Sequence, residues 1–137
     1  MSVKLFSGIC AAIGILIVFY LSWLPSPDFH ESWYFPSVLA KWTNVHGRLR
    51  TGVPFVFLGL LTEFLPRPKG ITPPSFRFFY LLLLTFAVTI AEVGQLFLSH
   101  RHFDLMDIVW GAAGGAAGIV LSMLWKRIFS IITAPKQ

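Results

Sequence analysis

Residues 78–98 read FFYLLLLTFAVTIAEVGQLFL, an apolar run broken only by Glu92 and Gln95. About 20 apolar residues in a helix are what the hydrocarbon core of a bilayer requires, so this run predicts a membrane-spanning helix, with Arg77 just before it. Two further runs have the same character. Residues 5–24 carry no charge and end at Pro25 and Pro27. Residues 108–132 carry Lys126 and Arg127 near their end, where long side chains can snorkel to headgroups. A fourth run, 51–65, is shorter, roughly 22 Å at 1.5 Å per residue. Pro54 suits its first turn, and Pro66 and Pro68 terminate it. A run this short also fits a re-entrant segment. A span is preferred, because three spans would put the basic loop at 66–77 and the basic tail on opposite sides. The prediction is an all-α integral membrane protein, a bundle of four transmembrane helices over about 5–24, 51–65, 77–98 and 107–132, forming a single domain over 1–137.

Composition agrees. Of 137 residues 55% are hydrophobic and 12% charged, with mean hydropathy +0.72, against about 25% charged in soluble domains. The net charge of +5 comes from basic residues at the ends of apolar runs. That placement points to topology and lipid headgroups, and away from nucleic acid. Cys10 is the only cysteine, which excludes an intrachain disulfide. With the amino terminus inside, seven Lys/Arg (Lys4, Arg67, Lys69, Arg77, Lys126, Arg127, Lys136) fall inside and four (Lys41, Arg48, Arg50, Arg101) outside. The count predicts an inner (plasma) membrane protein with both termini cytoplasmic, although Arg48 and Arg50 stand on the wrong side of it. Trp33, Tyr34, Phe35 and Trp42 suit an interfacial aromatic belt.

Burying an ionisable side chain in a span costs roughly 2.5–3.5 kcal/mol even on insertion scales. Glu92 therefore has two readings. It is a functional carboxylate, or it is interhelical glue, protonated or paired to an arginine. Thr85, Thr89, Glu92, Gln95 and Ser99 follow helical spacing and form one polar stripe facing the other helices. Glu63, near a helix end, can reach headgroups. The loop at 99–107 gathers His100, Arg101, His102, Asp104 and Asp107. Asp104 as a helix cap and Asp107 in the first turn need no further explanation, and that reading is preferred to a cation or acid/base pair. No metal or cofactor signature appears, since His100 and His102 lack a third ligand. Arg101 is the expected counter-charge for Glu92. His46 lies just before the second run. Gly111, Gly114, Gly115 and Gly118 form overlapping small-xxx-small pairs, which mark a close-packing or partner-binding face on the fourth helix.

Read in order, these residues resemble the VanZ-like family, small polytopic membrane proteins named for a teicoplanin-resistance determinant. The family hallmark runs Glu-x-x-Gln-x-Phe, then Arg-Phe-Asp, then Asp-x-x-x-Asn-x-x-Gly-x-x-x-Gly. Glu92, Gln95 and Phe97 match the first part. Arg101 and Asp104 match the second, with His102 inserted, and Asp107, Gly114 and Gly118 match the third. His46 ahead of an aromatic-rich helix looks like an upstream family feature. The resemblance spans about residues 45–121. Gly111 replaces the family's Asn and removes a hydrogen-bonding group beside Asp107.

The resemblance implies an envelope role, in glycopeptide or lipopeptide tolerance or in lipid-linked cell-wall or polysaccharide chemistry, without a defined reaction. It promotes Glu92, Gln95, Arg101, Asp104, Asp107 and His46 to one candidate polar site. A non-enzymatic role is favoured. The alternatives are a membrane-embedded enzyme on a lipid-linked substrate and a structural subunit of a larger membrane complex. The partners this implies are membrane lipids, a lipid-linked substrate or drug, and a membrane protein docked on the glycine-rich helix.

Overall fold

The structure of the chain, a computed structural model, describes residues 2–24, 38, 41, 46–99 and 101–132. Trp33, Tyr34, Phe35 and Trp42 of the expected aromatic belt, His100 and Lys136 lie outside the described residues. Among the described residues the fold is four helices and no strand: α1 (Val3–Ser22), α2 (Gly47–Leu60), α3 (Pro73–Gln95) and α4 (Leu105–Ile132). A 310 turn, Leu61–Phe64, extends α2. Helices α1, α3 and α4 are long and apolar enough to cross a membrane.

The ends of these helices are set by local chemistry more than by hydropathy. The Ser2 hydroxyl accepts the Leu5 N–H at 3.3 Å and caps α1. Thr72 caps α3, with Pro73 and Pro74 at its first positions, where no N–H is needed. This helix starts four residues before the predicted 77. It also ends at Gln95 instead of 98, because the Leu96, Phe97 and Leu98 amides turn back to carbonyls three residues earlier. Helix α2 begins at Gly47, and the Arg50 N–H bonds the His46 carbonyl at 3.0 Å. Pro54 therefore lies in the second turn, not the first, and cannot donate to the Arg50 carbonyl. Between α2 and α3 the chain reverses through Gly70 at φ +85°, a conformation that favours glycine.

The helices run up-down-up-down. Helices α2 and α4 are parallel and form the tightest contact, backbone on backbone. A Cβ at Gly118 would fall on the Val56 carbonyl, one at Gly114 on the Gly52 carbonyl, and one at Gly59 on the Gly115 carbonyl. The other two glycines of α4 face α3: a Cβ at Gly111 would lie 2.8 Å from Val88 Cγ2, and one at Gly115 3.2 Å from Leu84 Cδ1. All four are buried. The surface expected to receive a partner protein on α4 is thus occupied by α2 and α3 of the same chain. Phe55, Leu58, Tyr80, Leu84, Val88 and Ile119 complete the core, with the Tyr80 hydroxyl donating to the Leu58 carbonyl at 3.2 Å.

Glu63 does not simply reach outward to headgroups. Its side chain is 7% exposed and pairs with Arg77 at 2.6 Å and Lys126 at 3.0 Å, tying the ends of α2, α3 and α4 together. Lys126 spends its charge here as well as on solvent. Outward, the long helices present large apolar side chains such as Leu16, Phe78, Phe86 and Trp125, each about two-thirds exposed. Helix α1 buries only Ser7 and Ala11. It is held at one end by the Ser7 hydroxyl, which donates to the Phe64 carbonyl at 2.6 Å, and at the other by the Trp23 indole, which donates to the Ala91 carbonyl at 3.1 Å.

Candidate functional site

Glu92 lies on the last turn of α3 and is buried, with 2% exposure. Its two oxygens have different partners. Oε1 accepts from Gln95 Nε2 at 2.8 Å, and Oε2 accepts from the Asp104 backbone N–H at 3.3 Å. Asp104 in turn opens α4: its Oδ1 accepts the Met106 N–H at 2.8 Å and its carbonyl accepts the Asp107 N–H at 3.0 Å. The Glu92 carboxylate therefore faces the amino-terminal end of α4, where the helix dipole favours negative charge.

The expected Arg101–Glu92 ion pair is not what joins these elements. Arg101 reaches instead to the carboxy-terminal end of α1, donating from Nε to the Leu24 carbonyl at 3.2 Å and from Nη2 to the Leu21 carbonyl at 3.5 Å. A cation at that end of a helix satisfies terminal carbonyls and opposes their dipole. Each charge of the expected pair is thus met by a helix terminus. Burial first, and Arg50 second, hold the Arg101 guanidinium below its ordinary value, while Glu92 and Asp107 attract it.

Glu92, Gln95, Arg101 and Asp107 line one cavity of about 680 Å³, and Arg50 joins them. Its polar residues gather at the end where α1 and α3 finish and α2 and α4 begin. Away from that end the walls are apolar, from Cys10, Gly14 and Ile17 on α1 and Val53, Phe57 and Leu60 on α2. Asp104 contributes its backbone N–H but is exposed, and His46 is exposed and does not line the cavity. Gly111 also lies elsewhere. It is buried against Val88, where a side chain would collide, so it is a packing position and not part of the cavity wall.

The predicted polar stripe divides. Glu92 and Gln95 belong to the buried face, whereas the Thr85 and Thr89 hydroxyls donate to carbonyls one turn back, at 2.9 and 2.8 Å. In the sequence Arg50 is only a topology marker. Its signal was there, as an arginine against the charge rule. Trp23 gave none, because its partner, the Ala91 carbonyl, is invisible in a side-chain pattern. Among the described residues, no three His, Cys, Asp or Glu side chains are grouped to hold a metal ion. Chemically the site offers guanidinium donors and carboxylate acceptors at the mouth of an apolar groove. Comparison of the chain with protein-family models, curated protein sequences and solved structures returns no match.

Proposed function

We propose that this is a four-span plasma-membrane protein of the cell envelope that holds the polar head of a membrane amphiphile near the outer leaflet. The observation that carries the reading is the cavity's polarity. Charged and hydrogen-bonding groups are confined to one end and the long walls are apolar, which is how a site for an amphiphile must be built. The fourth span is supported by the length of α2 with its 310 extension. Fourteen α and four 310 residues give about 29 Å at 1.5 and 2.0 Å per residue, close to the roughly 30 Å of hydrocarbon.

The resemblance to VanZ-like proteins supports a role in glycopeptide or lipopeptide tolerance or in lipid-linked cell-wall or polysaccharide chemistry. A binding role fits Glu92 better than a general base does, because both of its oxygens already accept fixed donors. The function is tested by expressing the chain in a bacterium sensitive to glycopeptides and lipopeptides. Tolerance should rise with the intact chain. Unchanged susceptibility to every such drug, with the protein correctly inserted, would remove the tolerance reading.

Orientation has its own test. In a Cys10→Ser background, a cysteine at Ser99 should label from outside and one at Lys69 from the cytoplasm, as the Lys/Arg distribution requires. Labelling of Ser99 only from the cytoplasmic side would invert the topology and put the cavity's polar end at the inner leaflet.

A further inference from the structure

We propose that the chain carries a separate site for an anionic phospholipid, a basic hollow at Lys4, Arg67 and Lys126 that takes the lipid's headgroup. It lies where α1 and α3 begin and α2 and α4 finish, the end opposite Glu92, and it stands independently of the amphiphile reading above.

Among the described residues this end holds six basic side chains, Lys4, Arg67, Lys69, Arg77, Lys126 and Arg127, against one acid, Glu63. The surplus of five equals the net charge of the whole chain, +5, so the rest of the sequence is neutral in sum. Glu63 does not balance this end. One of its oxygens is taken by Arg77 at 2.6 Å and the other by Lys126 at 3.0 Å. A topology signal needs basic residues on one side of the membrane, but it does not need them to converge. Here three do, from three separate elements: Lys4 from the first turn of α1, Arg67 from the α2–α3 connection and Lys126 from α4 border one hollow of about 190 Å³.

The hollow is below the roughly 300–1,000 Å³ of sites that enclose a whole small molecule, which leaves room for a headgroup and not for its chains. An arginine fork meets two phosphate oxygens at once, and the lysines act as point charges beside it. Leu65 and Phe76 complete the wall with apolar surface, suited to the glycerol and the first carbons of a chain. The surroundings favour a lipid over a soluble anion. Trp125, next to Lys126, and Phe64, next to Glu63, are both exposed. Aromatic rings beside basic residues at the end of a span mark the headgroup level, and basic pockets between spans at that level suit anionic lipid heads. A zwitterionic head brings its own cation to the same three basic groups and forfeits most of the attraction.

The test uses the purified full chain and native mass spectrometry. The probes are phosphatidylglycerol and phosphatidylcholine with identical acyl chains, and inorganic phosphate. Phosphatidylglycerol should be retained over phosphatidylcholine by about tenfold or more, the order expected from two basic residues near an anionic head. Lys4 and Arg67 are exposed, so neutralising them should leave the fold intact. Lys4→Gln and Arg67→Gln should each lower the ratio, the double variant should bring it close to one, and Arg67→Lys should keep part of it. Lys69→Gln and Arg127→Gln remove the same charge from exposed positions that do not border the hollow, and the ratio should hold in both. Equal loss in Lys69→Gln and Arg67→Gln would show a diffuse basic field and overturn the site. A ratio that survives Lys4→Gln/Arg67→Gln would place the anionic lipid elsewhere, with the same consequence. Displacement of phosphatidylglycerol by millimolar inorganic phosphate would make this a small-anion site and overturn the lipid. Equal retention of the two lipids by the intact chain would overturn the proposal outright.

Discussion

Gly118→Leu should be the most damaging single substitution in the chain, costing about 3 kcal/mol or more, at or above the upper end of ordinary overpacking. The reason is what a side chain there would meet. Its Cβ would fall on the Val56 carbonyl and within 3.0 Å of the Gly59 Cα, both backbone atoms of a helix that cannot move aside without separating α2 from α4. Gly114 is in the same position against Gly52, so Gly114→Leu should rank beside it. Gly111 faces the stiff, branched Val88 side chain and Gly115 the flexible end of Leu84. Alanine at these two should cost progressively less. Ala113 and Ala117 are exposed on the opposite face, and leucine at either should change stability by no more than about 0.5 kcal/mol. Unfolding midpoints in mixed micelles would read this order. A Gly118→Leu midpoint no lower than that of Ala113→Leu would remove the α2–α4 seam as the centre of the fold.

Hydropathy reveals apolar runs, and here it located all four helices. It does not reveal helix ends, since a helix continues through polar residues for as long as its amides find acceptors. That is why α2 starts at Gly47, through Arg48 and Arg50, and α3 at Pro73. The glycine run in α4 was legible because small residues at four-residue spacing have one physical use in a helix pair. Its counterpart was not. Gly52 and Gly59 on α2 are seven apart and stand among large side chains, and only the structure shows them meeting Gly114 and Gly118. The charged cluster was legible as residues and not as pairs. Side-chain patterns suggest that an arginine near a glutamate will bind it. Helix termini, which here take both charges, carry their partial charges on the backbone and leave no trace in residue identity.

Glu92→Gln should leave stability nearly intact, at a cost of about 1 kcal/mol or less, and still abolish any glycopeptide or lipopeptide tolerance the chain confers. The hydrogen bonds explain the first half. Glu92 accepts from Gln95 on one oxygen and from the Asp104 N–H on the other. A glutamine can keep its oxygen on the Asp104 N–H and turn its own amide N–H toward Gln95, whose amide flips to present oxygen. Every buried side-chain N and O among the described residues has a partner, and this exchange preserves that condition. Glu92→Leu is different, because it strands the Gln95 amide and the Asp104 N–H together. A buried donor without an acceptor costs about 1–3 kcal/mol, so the loss should reach several kcal/mol, and Gln95→Leu added to it should recover part by removing one stranded group. The second half follows from charge. No neutral side chain at this position restores the carboxylate that lines the cavity beside Asp107. If Glu92→Gln kept its stability and also kept the tolerance, the Glu92–Gln95 pair would be serving the helix interface alone. Recovery of stability in the Glu92→Leu/Gln95→Leu chain, without recovery of tolerance, would assign the carboxylate to the ligand.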